Sequence, residues 1–345
     1  MMRRFRCSAF FVSFALCVHA EVTTPQLAIS KNRFTVDGQE RFLVLVSYFD
    51  AMRASPENLE TDFTFLRELG VDGIRIFPNW WDFRSKISFA DDTLMDAKGK
   101  PRPDRMKVLN DLLERAARYA MIVDVSFAYE TVEGLSDLKA EQVGTGQGAL
   151  PVNQVHIDDY ERGLVAITKE LKPYENLFLD IQNEYNGRIT HLSDDEIRRL
   201  AAAIKHADPK RLVTASLANE IGPEEVSERS NEVNIDIVGW HESRNPWHFD
   251  AMDQLVLRAV GNTGKPIYMG EPALLRDELT VENFVTAITK SKIGGAAAWC
   301  FHTQNGFDLS KQPLVDRLKD KEKDFLRAFK KSVDATTWGT ASAAK

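Results

Sequence analysis

Eight short runs of β-branched, aliphatic and aromatic residues recur along the chain, at 42–47, 73–77, 121–127, 177–182, 212–216, 235–239, 266–270 and 296–300. Segments of helical period lie between them, at 56–69, 104–119, 158–171, 194–207, 224–228, 250–260 and 281–291, and 315–333 closes the series. This alternation constrains the fold more than any other feature, because the apolar period switches from strand to helix at each step. Most of the runs are continuously apolar, the pattern of strands covered on both faces in a parallel sheet. Ser193 with Glu196 makes a capping box, Gly70 sits where a left-handed cap is expected, and Asp208-Pro209 ends the fourth helix. Eight β/α units in about 300 residues have the size and rhythm of a (β/α)8 TIM barrel. An open doubly wound sheet would announce itself by a glycine-rich loop after its first strand. Here that strand ends in Ser47-Tyr48-Phe49-Asp50. Ahead of it, Arg33 to Phe42 reads as a short N-terminal β-hairpin turning at Asp37-Gly38, placed to plug the barrel.

Residues 1–20 read as a secretory signal. Arg3, Arg4 and Arg6 precede a short apolar run, and Val18-His19-Ala20 offers small residues for cleavage near Ala20. The expected organisation is a signal peptide at 1–20, one catalytic barrel at 21–334 and a flexible small-residue tail at 335–345. The expected location is secreted, periplasmic or extracellular. No later segment is long enough to span a membrane. The signal carries three arginines and no acid, so its removal moves the net charge from −7 to −10. A net acidic chain without a basic stripe is a poor partner for nucleic acid. Two of the three cysteines leave with the signal, so Cys300 has no partner for an intrachain disulfide.

Barrel enzymes place their chemistry at the C-terminal ends of strands. Strand 2 delivers Arg75 and then Asn79, Trp80 and Trp81; strand 4 delivers Asp180, Asn183 and Glu184; strand 6 delivers Trp240, His241 and Glu242; strand 7 delivers Glu271; strand 8 delivers Trp299 and His302. Either glutamate alone is more simply a rim residue in a salt bridge. Together, each closing an apolar strand, Glu184 and Glu271 form the carboxylate pair that glycoside hydrolysis requires. Trp80, Trp81, Tyr129, Trp240 and Trp299 are candidate sugar-stacking platforms, since aromatic faces cover the C–H faces of pyranoses.

With these residues in place, the chain resembles the clan of retaining glycosidases that includes family 5 cellulases and mannanases. The resemblance runs from the hairpin through Gly73-Ile74-Arg75-Ile76-Phe77 and Asp180-Ile181-Gln182-Asn183-Glu184 to Pro266-Ile267-Tyr268-Met269-Gly270-Glu271 and Ala298-Trp299. It implies that Glu184 is the acid/base, Glu271 the nucleophile, and Arg75 the residue that orients the nucleophile. Asn183 would hold the sugar's 2-hydroxyl, and His241 and Trp299 would line the site. Double displacement then follows. Glu271, favoured as an anion by Arg75, attacks the anomeric carbon, and Glu184 protonates the leaving oxygen before activating water. Two positions depart from the clan pattern: Ser126-Phe127-Ala128 has no histidine at the end of strand 3, and His241-Glu242-Ser243 has no tyrosine after strand 6.

The expected partner is an oligo- or polysaccharide, with no cofactor and no metal, because the seven histidines are scattered and no His-x-His ends strand 1. A Schiff-base aldolase would need a lysine inside the mouth, and strand 6, Ile235-Asp236-Ile237-Val238-Gly239, has none. The remaining rival is a carbohydrate-binding barrel without catalytic activity. The residues do not fix the sugar, its linkage, endo or exo action, or oligomeric state.

Overall fold

The computed structural model describes residues 24–78, 93–96, 98–127, 156–187, 192–218, 221–242, 246–272, 279–307 and 309–339. The expected signal at 1–20 lies outside them. Eight parallel strands form one sheet: β4 (Leu43–Ser47), β5 (Gly73–Ile76), β6 (Ile122–Ser126), β7 (Leu177–Asp180), β8 (Leu212–Thr214), β9 (Val238–Trp240), β10 (Ile267–Met269) and β11 (Ala298–Phe301). Their order is β8-β7-β6-β5-β4-β11-β10-β9. The two ends meet through a parallel bridge, Leu217 to Trp240. The fold is therefore a (β/α)8 barrel, as the alternation predicts.

Each strand divides its residues between two environments. One set packs outward against the helices, among them Val44, Val46, Ile74, Val123, Leu179, Val213, Val238, Met269, Trp299 and Phe301. The other fills the barrel: Leu43, Leu45, Ile122, Phe178, Ile237, Tyr268, Ala298 and Cys300. Both faces are covered, which is why the runs read as continuously apolar. Gly73 is required for closeness, since a Cβ there would stand 2.2 Å from the Ile122 carbonyl oxygen on the neighbouring strand.

The helices are α1 (Pro56–Glu68), α2 (Pro103–Arg118), α3 (Ile157–Glu170), α4 (Asp194–Ala207), α5 (Pro223–Glu232), α6 (Pro246–Thr263), α7 (Val281–Ile293), α8 (Leu314–Arg317) and α9 (Asp320–Ala335). Ser193 and Glu196 form the expected capping box on α4, and Gly70 adopts φ +82° beyond α1. The single helix expected over 315–333 is two, because Leu318 is extended at φ −62°, ψ 133°. The Lys319 N–H donates to Glu322 (2.8 Å), so α9 starts afresh there. Among the described residues no helix is long and apolar enough to cross a membrane.

The N-terminal hairpin is larger than expected. A further strand, β1 (Leu27–Ser30), pairs with β2 (Arg33–Val36), which turns at Asp37-Gly38 into β3 (Gln39–Glu40). Leu27, Phe34 and Val36 join the barrel-filling cluster, and Phe34 stacks on Phe178 at 6.1 Å. Burying Phe34 contributes roughly 2–3 kcal/mol and closes the barrel's N-terminal end. The first part of the tail expected at 335–345 makes contacts with the barrel. Ala335 ends α9, and Trp338 docks with its indole N–H on the Ala296 carbonyl (2.8 Å), its ring against Phe42, and Arg33 over its face. One large aromatic anchors a segment that is otherwise small and polar. Residues 340–345 lie outside the described residues.

Candidate active site

Arg75 lies at the centre. It points into the barrel from β5 and is fully buried. Its Nη1 donates to Glu271 Oε1 at 2.6 Å. Its Nη2 donates to Asn183 Oδ1 at 2.7 Å and Asp180 Oδ2 at 3.3 Å. Its Nε donates to Ser126 Oγ at 2.9 Å and lies 3.1 Å from Asp124 Oδ2. The guanidinium also sits 4.8 Å above the Phe77 ring. One cation therefore serves three buried carboxylates. Burial works against the charge on Arg75, but Glu271, Asp124, Tyr268 and Asp180 outweigh it and push its pKa up.

Asp124 is the deepest of the three acids. Burial raises its pKa to about 7, aided by the charge of Asp180 and opposed by Arg75 and by hydrogen bonds from Tyr268 and Ser126. Asp180 is better served, since the Ser216 backbone N–H also donates to it at 2.9 Å. The cluster thus has a natural place for one proton, on Asp124.

Glu271 follows β10 and Gly270, and Glu184 follows β7 and Asn183. Oxygens of the two carboxylates and a ring nitrogen of His241 all lie within 4.8 Å of one another. Their settings differ. The Glu271 side chain is 9% exposed and tied to Arg75, whereas that of Glu184 is 36% exposed. His241 Nδ1 lies 2.9 Å from Glu184 Oε1. Glu184 adopts φ +50°, a left-handed conformation costly for a side chain with a Cβ. Its N–H donates to Ser216 Oγ at 3.0 Å, which helps hold that turn. Backbone strain of this kind clusters at functional positions. Asn183 gives its oxygen to Arg75, which leaves its NH2 for a ligand.

The sequence-predicted residues Glu184, Glu271, Arg75, Asn183 and His241 therefore converge. Trp299 does not join them. It pairs with Val44 in the outward-facing register and is fully buried, with Phe284 and Phe325 against its ring at 6.5 and 5.7 Å. A ring packed between barrel and helices offers no face to a sugar, so its expected stacking role is withdrawn. Trp240 is fully buried as well. Trp80, Trp81 and Tyr129 lie outside the described residues.

Further side chains join the site: His302, expected at the end of strand 8 without an assigned role, and Asp124, Ser126 and Gly270, which the sequence reading did not place there. His302, 2% exposed, places Nδ1 3.6 Å from Glu271 Oε2, on the oxygen that Arg75 does not hold, and packs on Phe49 at 5.4 Å. Ser126 and Asp124 support Arg75 from below. Gly270 makes room for His241, since a Cβ there would stand 2.7 Å from its Nε2. For Asp124 and Ser126 the only signal in the sequence was polarity within an apolar run. Glu184, His241 and Glu271 also offer donor atoms close enough for a cation. The Arg75 charge, 2.6 Å from Glu271, opposes a second positive charge there.

Fold and site together define a (β/α)8 barrel with a glutamate pair and a buried arginine at its C-terminal mouth. No protein-family model matches the chain, and no curated protein matches it. Solved structures do share its fold. One is a Bacteroides vulgatus protein assigned as a glycoside hydrolase, 13% identical with a TM-score of 0.66 over 92% of this chain. The chain spans 62% of that protein's length. Another is the GH5_18 protein of Streptomyces cattleya in complex with GlcNAc, 14% identical with a TM-score of 0.59, covering 87% of this chain and 82% of that one. A third is the β-mannanase of the blue mussel Mytilus edulis, 14% identical with a TM-score of 0.57, covering 92% and 99%. The chain thus has the fold of family 5-type glycoside hydrolases.

Proposed function

We propose that this chain is an exported retaining glycoside hydrolase that cleaves β-linked glycosides by double displacement. The observation that carries the reading is the approach of the Glu184 and Glu271 carboxylates to within 4.8 Å, one of them locked on a buried arginine. Retaining enzymes hold their carboxyl groups about 5–5.5 Å apart, and inverting enzymes need about 6.5–9.5 Å to admit a water. Single oxygens of the two carboxylates within 4.8 Å of each other are compatible with the shorter, retaining spacing.

In the first step Glu271 attacks the anomeric carbon as the glycosidic C–O bond breaks, and Glu184 gives its proton to the departing oxygen. Arg75 pairs with the Glu271 carboxylate and fixes its rotamer. In the second step water attacks the glycosyl-enzyme, Glu184 takes its proton, and Glu271 is released as a carboxylate. A tautomer of His241 with hydrogen on Nδ1 donates to Glu184 Oε1 and leaves the other oxygen to carry the exchanging proton. The Asn183 NH2, left open by the bond of its oxygen to Arg75, would bind the 2-hydroxyl, a contact that strengthens in the oxocarbenium-like transition state. Since structures of this fold include a mannanase and a GlcNAc complex, β-mannosidic oligosaccharides are the first substrates to assay.

Glu271→Ala should abolish turnover, and azide should restore it on an activated aryl glycoside with an inverted glycosyl azide as product. An absence of rescue in a folded variant would count against Glu271 as nucleophile. Binding of oligosaccharide without turnover in the unaltered chain would favour a carbohydrate-binding barrel.

A further inference from the structure

We propose that the opposite, N-terminal face of the barrel carries a second, non-catalytic site for small multivalent anions. A cavity of about 900 Å³ opens there, between the β1–β2 hairpin and the segments leading into β7, β8, β9 and β10. Six cationic side chains line it: Lys31, Lys172, Lys205, Lys210, Arg211 and Lys265. Only three acids face them, Glu175, Asp208 and Asp236.

The pairing leaves a surplus. Lys205 is neutralised by Asp236 at 3.0 Å and Arg211 by Asp208 at 3.4 Å. Glu175 accepts from the Gln26 amide at 3.3 Å. Among the described residues Lys31, Lys172, Lys210 and Lys265 have no carboxylate partner, and Lys265 Nζ donates only to the Ser230 carbonyl, at 2.8 Å. Four unpaired ammonium groups therefore face one remaining carboxylate, in a chain whose overall charge is −7.

Two further observations point to a ligand. Arg211 is 4% exposed, and among the described residues its Nε has no hydrogen-bond partner although the rest of the guanidinium is bonded. Burial lowers the pKa of both Arg211 and Lys265, and the nearby acids only partly oppose it. Positive charge is thus under-compensated at the cavity, the condition an anion relieves. The backbone adds to this. Lys31 at φ +57° and Asn234 at φ +55° both line the cavity in left-handed conformations. Lys31 occupies a two-residue turn between the paired Ser30 and Arg33, where glycine would sit without strain. The chain instead keeps a lysine at the rim.

The spread of the lysines around the cavity suits an anion with two or more charges on a compact polar scaffold, a phosphate compound or an acidic oligosaccharide. The test is isothermal titration of the full mature chain with pyrophosphate and with trigalacturonic acid, using a neutral trisaccharide as control. The comparison variant is K31E/K172E/K210E, which alters exposed side chains that hold no partner. At least one anion should bind with 1:1 stoichiometry and the neutral sugar should not bind at this face. Affinity should fall at least about tenfold in the triple variant, and it should fall again as salt rises from about 50 to about 300 mM. Which anion binds identifies the source. Binding of neither, or unchanged affinity in the triple variant, overturns the proposal. Glu271→Ala must bind the anion as the unaltered chain does. Loss in that variant would place the anion at the catalytic mouth and would also overturn the proposal, without bearing on the hydrolase reading.

Discussion

Replacing Asp124 by asparagine should stabilise the protein, and by more as the pH rises. Asp124 is fully buried, and its pKa stands at about 7. In the unfolded chain it returns to about 3.9. Between these values the folded state binds a proton that the unfolded state does not. Stability from this group is therefore intact below about pH 4, falls through the window between, and reaches its full loss above pH 7. At about 1.4 kcal/mol per pH unit, the loss between pH 5 and pH 8 amounts to a few kcal/mol. Asparagine mimics the neutral acid and carries no such penalty. Urea denaturation of both proteins at several pH values reads the effect, because titrating groups remote from the Arg75 cluster cancel in the difference. The stability gap should widen with pH in favour of the variant. Parallel curves would refute the reasoning. So would a variant that loses ground as pH rises, since Asp124 would then be an ionised, stabilising partner of Arg75.

Further outcomes follow from the same geometry. Glu184→Ala should retain the first step on aryl glycosides with good leaving groups and lose it on poor ones. Pre-steady-state rates across a leaving-group series check this, and equal losses throughout would contradict the acid role. Trp299→Ala should cost about 3–5 kcal/mol of stability, because a fully buried ring leaves a cavity between barrel and helices. Its KM for oligosaccharide should not change. A raised KM with little loss of stability would return Trp299 to the sugar site.

The barrel was legible because strand and helix periods alternate along the chain. Glu184, Glu271 and Arg75 were legible because each occupies the position at a strand end where a barrel opens. Trp299 was misplaced for a definite reason. In a strand of four residues, one step of phase exchanges inward and outward faces, and only the pairing with Val44 fixes that phase. Asp124 and Ser126 were overlooked because a polar residue within an apolar run looks like an interruption until three strands are seen to meet at one guanidinium. The cationic cavity was illegible for another reason. Its lysines come from distant segments, and a chain without a basic stripe folds into one that has a basic pocket. Trp338 shows that one aromatic in a small-residue tail suffices to dock it.

The central claim is that Glu271 forms a covalent glycosyl-enzyme. Incubation with a 2-fluoro glycoside carrying an activated leaving group, followed by intact-mass and peptide analysis, tests it directly. A single stable adduct on Glu271 is the predicted result. Turnover that gives inverted product with no adduct, or an adduct on another residue, would contradict it.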